Sequence, residues 1–258
     1  MRRRTIGAGA ALVLAVVQAG AAFPSPASAV AAPGIAKAER GQVNERRVIA
    51  VTSQARPIVA RHFGAPDAPV QVVVIGQMHG NETGGRAVVR NLETRPVPDG
   101  VGLWLITSLN PDGYRADTRA NARGVDLNRN FPASWTSSRT GSGLSSGGRP
   151  ASESETRGIM RFLTAEKPTA VLSFHQAYDV VDITHRRSRA AGRHLARWMG
   201  EQARIVGCGG PCHGTMTEWI DRTLGAVALT VELDASVSSR EADVSAEAVL
   251  RLARWLGR

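Results

Sequence analysis

The chain reads as an α/β protein, a single-domain mixed β-sheet flanked by helices on both faces. Two observations predict this. From Arg47 onward, apolar runs of strand length alternate with patterns of helix length, the order that builds a sheet between helix layers. Polar residues capable of chemistry then collect just past the apolar runs, where open α/β sheets place their ligands.

The N-terminus comes first and reads as an export signal. Arg2, Arg3 and Arg4 precede an apolar stretch from Ile6 to Phe23, and "PSPASA" ends in a small-x-small site with cleavage expected after Ala29. Gln18, the glycines and the following prolines weigh against an uncleaved anchor. No later run is long and apolar enough to span a bilayer, so no stable membrane insertion is expected after cleavage. Residues 30–45 read as a linker or short pro-segment, and 46–258 as one folded domain. The expected localisation is secreted, extracellular or cell-wall associated.

Strands are predicted at 47–52, 70–76, 102–108, 169–175 and 226–233, and helices at 82–93, 152–165, 187–203 and 240–257. The last helix shows Val244, Ala248, Leu250, Leu252, Ala253 and Leu256 at near-helical spacing. Residues 137–150 form a Ser/Gly-rich surface loop, and no internal repeat is present. Hydrophobic residues at 43% and charged residues at 21% suffice for a packed core.

The formal charge is +10, falling to +7 without the leader, and of the 32 basic residues only Lys37 and Lys167 are lysine. An exported protein of this charge would adhere weakly to anionic wall or membrane surfaces, but a solvated basic surface of biased composition is the preferred reading. Aromatic residues make up only 5%, without basic–aromatic interleaving along the chain, so no nucleic-acid partner is expected. A monomer is expected. Cys208 and Cys212 in "GCGGPCHG" are expected to pair in an oxidising compartment, closing a loop worth about 2 kcal/mol. Two thiols and His213 fall short of a second metal site.

Four strand ends carry the chemistry: "QMHGNE", "NPDG", "SFHQ" and "TVELD", with "TRANARGVDLNRNFP" at 118–132 between the second and third. His79 and Glu82, three apart at a turn, reach one ion, and His175 from another strand completes a three-ligand set that leaves a position for water. A lone HxxE is weak evidence by itself, since these residues also cap helices.

In this order the motifs resemble zinc metallocarboxypeptidases, most of all the compact bacterial branch that includes murein peptide amidases. The resemblance covers about 70–233, and "ASESETRGIMRFL" matches a further family segment. It implies a sheet of about eight strands, of which the sequence alone shows five or six. It implies a single Zn²⁺ on His79, Glu82 and His175, with Asp126 accepting a hydrogen bond from His79. Arg119 would face the scissile carbonyl, Asn128 and Arg129 would bind the substrate's terminal carboxylate, and Glu232 would act as base and then acid. The implied substrate is a peptide or muropeptide. The physics agrees: zinc acidifies water, a carboxylate can shuttle its proton, and a guanidinium fork suits a carboxylate.

The chain departs from the larger digestive enzymes in having no Tyr in 205–219, where those carry a capping phenol. That segment is read equally as part of the pocket wall, with Thr217 or Glu218 near the substrate, or as a purely structural loop. An N-acyl-amino-acid deacylase shares "HGNE" and "DLNR" but not the "NPDG" and "GVDLNRNFP" combination. A non-catalytic peptide-binding module would be expected to lack Glu232.

Overall fold

The computed structural model describes residues 43–137, 144–206 and 213–258. Its sheet has eight strands: β1 (Val43–Val51), β2 (Pro57–Gly64), β3 (Val70–Ile75), β4 (Val101–Ile106), β5 (Ala170–Gln176), β6 (Val180–Asp182), β7 (Gln202–Arg204) and β8 (Val227–Leu233). Their order across the sheet is β1-β2-β4-β3-β5-β8-β6-β7. The central strands β4, β3, β5 and β8 run parallel, whereas β1, β2 and β6 join antiparallel. Parallel strands covered on both faces need apolar side chains on both, and every residue of β4 is accordingly buried.

The helices are α1 (Gly84–Glu93), α2 (Pro111–Ala116), α3 (Ser154–Glu166), α4 (Arg189–Met199), α5 (Met216–Thr223) and α6 (Ser239–Leu256). Alternation along the strands divides the core in two. Val72, Val74, Leu172 and Phe174 face α1, α4 and α6, which contribute residues such as Val88, Leu195 and Val249. Val73, Ile75 and Val171 face α3 and α5, with Phe162, Leu163, Trp219 and Ile220. Among the described residues, no helix is long and apolar enough to cross a membrane.

The structure corrects several boundaries. β1 begins at Val43, so the sheet starts inside the stretch read as a linker; Glu45 pairs with His62 and Arg47 with Ala60. The helix expected at 187–203 is shorter, because Gly200 takes a left-handed φ of +84° and ends α4 at Met199, and 202–204 become β7. β2, β6, β7, α2 and α5 were not legible in the sequence. β6 and β7 have three residues each, too few to display a period. In α2 the local chemistry is visible afterwards: Asn110 caps the helix by accepting from Gly113 N at 2.8 Å, and Pro111 opens its first turn. Cys208 and Cys212 lie outside the described residues.

Glu201, just before β7, has a buried Oε2 with no hydrogen-bond partner. Burial, reinforced by the charges of Asp179 and Glu241, pushes its carboxyl up to about 8 from 4.5. A folded-state pKa above the unfolded one gives stability that is full below about 4.5 and is lost as pH rises through about 8. Glu201→Gln is therefore expected to flatten the decline of Tm between pH 5 and pH 9, measured by thermal melts beside the wild type. Parallel Tm–pH curves for the two proteins would contradict this.

Candidate metal centre

The turn after β3 carries the first two site residues. His79 and Glu82 lie between that strand and α1, tied by the Glu82 N to His79 O bond at 3.1 Å. Gly80 is required here, since a Cβ would lie 2.0 Å from Gly113 C in α2. The turn thus rests directly on the "NPDG" helix. His175 comes from the end of β5, and Glu232 sits directly opposite it on β8, in parallel register.

The structure brings His79, Glu82 and His175 together, all three buried, with one ligand atom from each within 4.8 Å of the others. His79 Nδ1 lies 2.8 Å from Glu82 Oε2, and His175 Nδ1 lies 3.0 Å from Glu82 Oε2 and 3.1 Å from His79 Nδ1. The outer ring nitrogens have partners of their own: His79 Nε2 meets Asp126 Oδ1 at 3.1 Å, and His175 Nε2 meets Ser173 Oγ at 3.1 Å. An ionised Asp126 can only accept, so His79 carries its hydrogen on Nε2. His175 takes the same tautomer when Ser173 Oγ accepts. Both Nδ1 lone pairs then point at each other and at a carboxylate. Three acceptors that converge in a buried site need a cation between them, and two imidazoles with one carboxylate suit zinc.

The electrostatics carry the same message. Burial alone would push the Glu82 carboxyl up, but the imidazoles of His175 and His79 beside it outweigh burial and hold the group far below the usual range. Burial likewise disfavours a charged His79, yet Asp126 and Glu82 raise its pKa. The cluster therefore attracts positive charge.

Arg119 clamps the site from outside. Its Nη1 donates to Glu82 Oε1 at 2.6 Å and its Nε to Asp126 Oδ2 at 3.1 Å, while a third of the side chain stays exposed. Asp126 is the N-cap of a 3₁₀ turn, Leu127–Arg129, and accepts from Asn128 N at 2.9 Å. Burial works against its charge, but His79 and the arginines Arg119 and Arg129 hold its carboxyl far below the usual range. Asn128 Oδ1 accepts from Met216 N at 3.0 Å, which leaves its amide nitrogen as a donor. Arg129 is half-buried, donates to Asn128 O at 2.8 Å, and has no carboxylate partner among the described residues.

Glu232 is half-buried, and its Oε2 is enclosed without a hydrogen-bond partner. Burial pushes this carboxyl up and Glu82 adds to the rise, while His175, His79 and Arg119 oppose it. The metal-like set and the raised carboxyl therefore occupy one electrostatic neighbourhood. Part of the 205–219 segment walls the cleft: Phe131 N donates to Gly214 O at 3.0 Å, and a Cβ on Gly214 would meet Arg129 O at 2.3 Å. Thr217 is buried, and Glu218 is occupied by Ser134 at 3.0 Å and Arg222 at 2.7 Å.

One residue of the site went unassigned in the sequence. Gln176 follows His175 and links three elements. Its Oε1 accepts from Gly84 N at 2.7 Å, its Nε2 donates to Asp234 O at 2.7 Å and Ala235 O at 3.0 Å, and its backbone N donates to Glu82 Oε2 at 3.3 Å. Its position in "SFHQ" was the only signal available, because its partners are backbone atoms that no side-chain pattern displays. Groups that orient ligands from outside typically alter metal affinity or activity about 10–100-fold. Gln176→Ala is expected to fall near the lower end, about tenfold in zinc affinity by chelator competition, since its backbone N–H remains. Unchanged affinity and turnover would make Gln176 a purely structural staple.

The comparisons with known proteins agree with this geometry. Residues 37–206 match the family model described as zinc carboxypeptidase. Murein peptide amidase A of Escherichia coli K12 is 27% identical over 206 residues, covering 75% of this chain and 84% of that protein. The Vibrio campbellii protein of the same name is 32% identical over 146 residues, 50% of this chain and 55% of that one. The crystal structure of murein-tripeptide amidase from Escherichia coli O157 superposes with a TM-score of 0.65 at 26% identity, covering 85% of this chain and 95% of that one. Carboxypeptidase A from Helicoverpa armigera shares the fold, with a TM-score of 0.70 at 15% identity over 83% of this chain and 68% of that one. A zinc-dependent hydrolase family, an eight-stranded mixed sheet and a buried His–Glu–His cluster converge on one assignment: the chain belongs to the zinc carboxypeptidase family.

Proposed function

We propose that this zinc hydrolase is exported and cleaves the peptide or amide bond next to a free C-terminal carboxylate, with cell-wall (murein) peptides as its substrates. The observation that carries the reading is Arg129. Its guanidinium lacks a carboxylate partner among the described residues and lies on the turn whose N-cap, Asp126, holds His79. One turn thus links the centre of the chemistry to a carboxylate anchor.

In this reading, His79, Glu82 and His175 hold a single zinc ion and Asp126 fixes the His79 tautomer. When bound, zinc supplies a Lewis acid that acidifies water and polarises a carbonyl. Arg129 and the Asn128 amide nitrogen take the terminal carboxylate, the planar fork giving two parallel hydrogen bonds. Arg119, partly exposed, donates toward the carbonyl oxygen as charge develops there. Glu232, raised by burial, accepts the proton of the attacking water and delivers it to the leaving amine. Export rests on the basic, then apolar, N-terminus, and the murein substrate on the names of the relatives.

The test is a panel assay of the mature protein, with and without chelator. The panel holds C-terminally free peptides, the same peptides amidated, muropeptides with γ-glutamyl-diamino-acid bonds, and N-acyl amino acids. Cleavage of free but not amidated C-termini is expected, with muropeptides preferred. Arg129→Ala should reproduce the effect of amidation on kcat/KM, about 1.5–3 kcal/mol for a charged hydrogen bond, while zinc content stays unchanged. Equal cleavage of amidated and free peptides would remove Arg129 as the anchor, and a preference for N-acyl amino acids would select the deacylase.

A further inference from the structure

The positive charge of the chain is concentrated away from the cleft. Residues 186–200 hold five arginines and residues 251–258 hold three, and neither stretch contains Asp or Glu. The fold packs these segments side by side, because α4 lies against α6. Between them runs a ladder of half-buried rings. His194 stacks on Trp198 at 5.3 Å with an interplanar angle of 29°, and its other neighbour, Trp255, lies at 4.7 Å. The ladder ends at a cavity of about 400 Å³ lined by Arg187, Ala190, Ala191, Val227, Trp255 and Arg258. Val227 begins β8 and Glu232 lies near its end, so the cavity opens at the opposite end of that strand from the base.

Stability does not account for these arginines. Arg187, Arg193, Arg197, Arg254 and Arg258 are exposed and form no ion pair among the described residues; on this face Arg251 alone is paired, with Glu247. Arg193 and Arg197 stand one turn apart on α4, where like charges work against a helix. Each tryptophan of the ladder directly follows an arginine, Arg197 before Trp198 and Arg254 before Trp255, and the helix pairing brings the two short stretches together.

We propose that this α4–α6 groove binds an acidic polysaccharide. Sugar rings stack on the Trp198–His194–Trp255 ladder, while acidic groups along the polymer engage the arginine forks on either side. The cavity between Arg187 and Arg258 accepts one acid-bearing ring. Arginine suits this task better than lysine, because its planar fork matches a carboxylate or phosphate with two hydrogen bonds and is weakly hydrated. The face does not suit insertion into a membrane: the exposed large apolar residues Val48, Val51, Tyr114, Tyr178 and Ile205 all lie outside both helices. Nucleic acid also offers rings and phosphates, but the leader-like N-terminus favours a polymer met outside the cell. Bound there, the protein would be retained on the polymer with its cleft free. The inference goes beyond the proposed hydrolytic activity and rests on that reading only for export.

The test uses the full mature chain and fluorescently labelled polygalacturonate, with neutral pullulan, poly(dT) and phosphatidylglycerol vesicles as the other arms. Two triple variants remove equal charge from exposed positions: Arg187→Gln, Arg193→Gln and Arg258→Gln in the groove, and Arg46→Gln, Arg90→Gln and Arg161→Gln elsewhere. The groove triple is expected to weaken polygalacturonate binding about tenfold or more and the remote triple much less, because a local site and not net charge does the binding. Trp255→Ala should weaken it as well, including at high salt where the ionic part is screened. Hydrolysis of a small soluble peptide by the groove triple should match the wild type. Equal loss in the two triples, tighter binding of poly(dT) or vesicles than of polygalacturonate, or no binding of polygalacturonate would overturn the proposal.

Discussion

Glu232→Gln is expected to lower turnover by about 10²–10⁴ while zinc still binds, the usual contribution of a positioned acid–base group. The substitution keeps the shape and removes the base. Glu232 is not among the three clustered candidate ligands, so metal content should be unaffected. Its surroundings fit the proposed role: β8 pairs with β5 so that Glu232 lies opposite His175, half-buried and with one oxygen lacking a partner. The neutral Gln should not weaken the fold, since burial disfavours the charge it replaces. Steady-state kinetics with metal analysis checks both halves. A fully active variant would end the general-base assignment, and a variant without zinc would recast Glu232 as a ligand.

Removing His175 should have a larger effect. His175→Ala leaves His79 and Glu82, one ligand short of a catalytic zinc site. Zinc should be lost at ordinary concentrations, and the fall in turnover should exceed that of Glu232→Gln. A folding readout separates loss of the site from loss of the structure. For the wild type, adding zinc at 100 times its Kd to chelator-treated protein should stabilise it by about 2.7 kcal/mol, seen as a rise in Tm. His175→Ala should show no such rise, yet should melt cooperatively, because the two apolar layers around the sheet do not depend on the ring. A zinc-induced shift as large as that of the wild type would exclude His175 from the centre.

How much of this was legible beforehand depends on the range over which each feature is encoded. The continuous apolar runs of β3, β4 and β5 mark buried parallel strands within a few residues, and the helical spacing in α6 does the same over a longer window. His79 and Glu82 are readable as a pair because they share a single turn. The "GVDLNRNFP" block is readable through its resemblance to the family pattern, and local hydrogen bonds join Asp126, Asn128 and Arg129 within it. Burial period, turn chemistry and short motifs are local properties, and the sequence by itself determined them.

Tertiary structure decided what meets across the fold. His175 lies 93 positions from Glu82 and touches it only because β5 takes its place beside β3. Glu232 reaches the same point through the pairing of β8 with β5. Gln176 becomes a staple because α1 and the loop after β8 happen to offer it backbone atoms. The short strand β6 exists because β8 supplies an edge to pair with, β7 because β6 then does the same, and the Arg–Trp groove exists because α4 packs on α6. In each case the contact is stabilised by partners distant in sequence, and no pattern within one segment records which partner it will be.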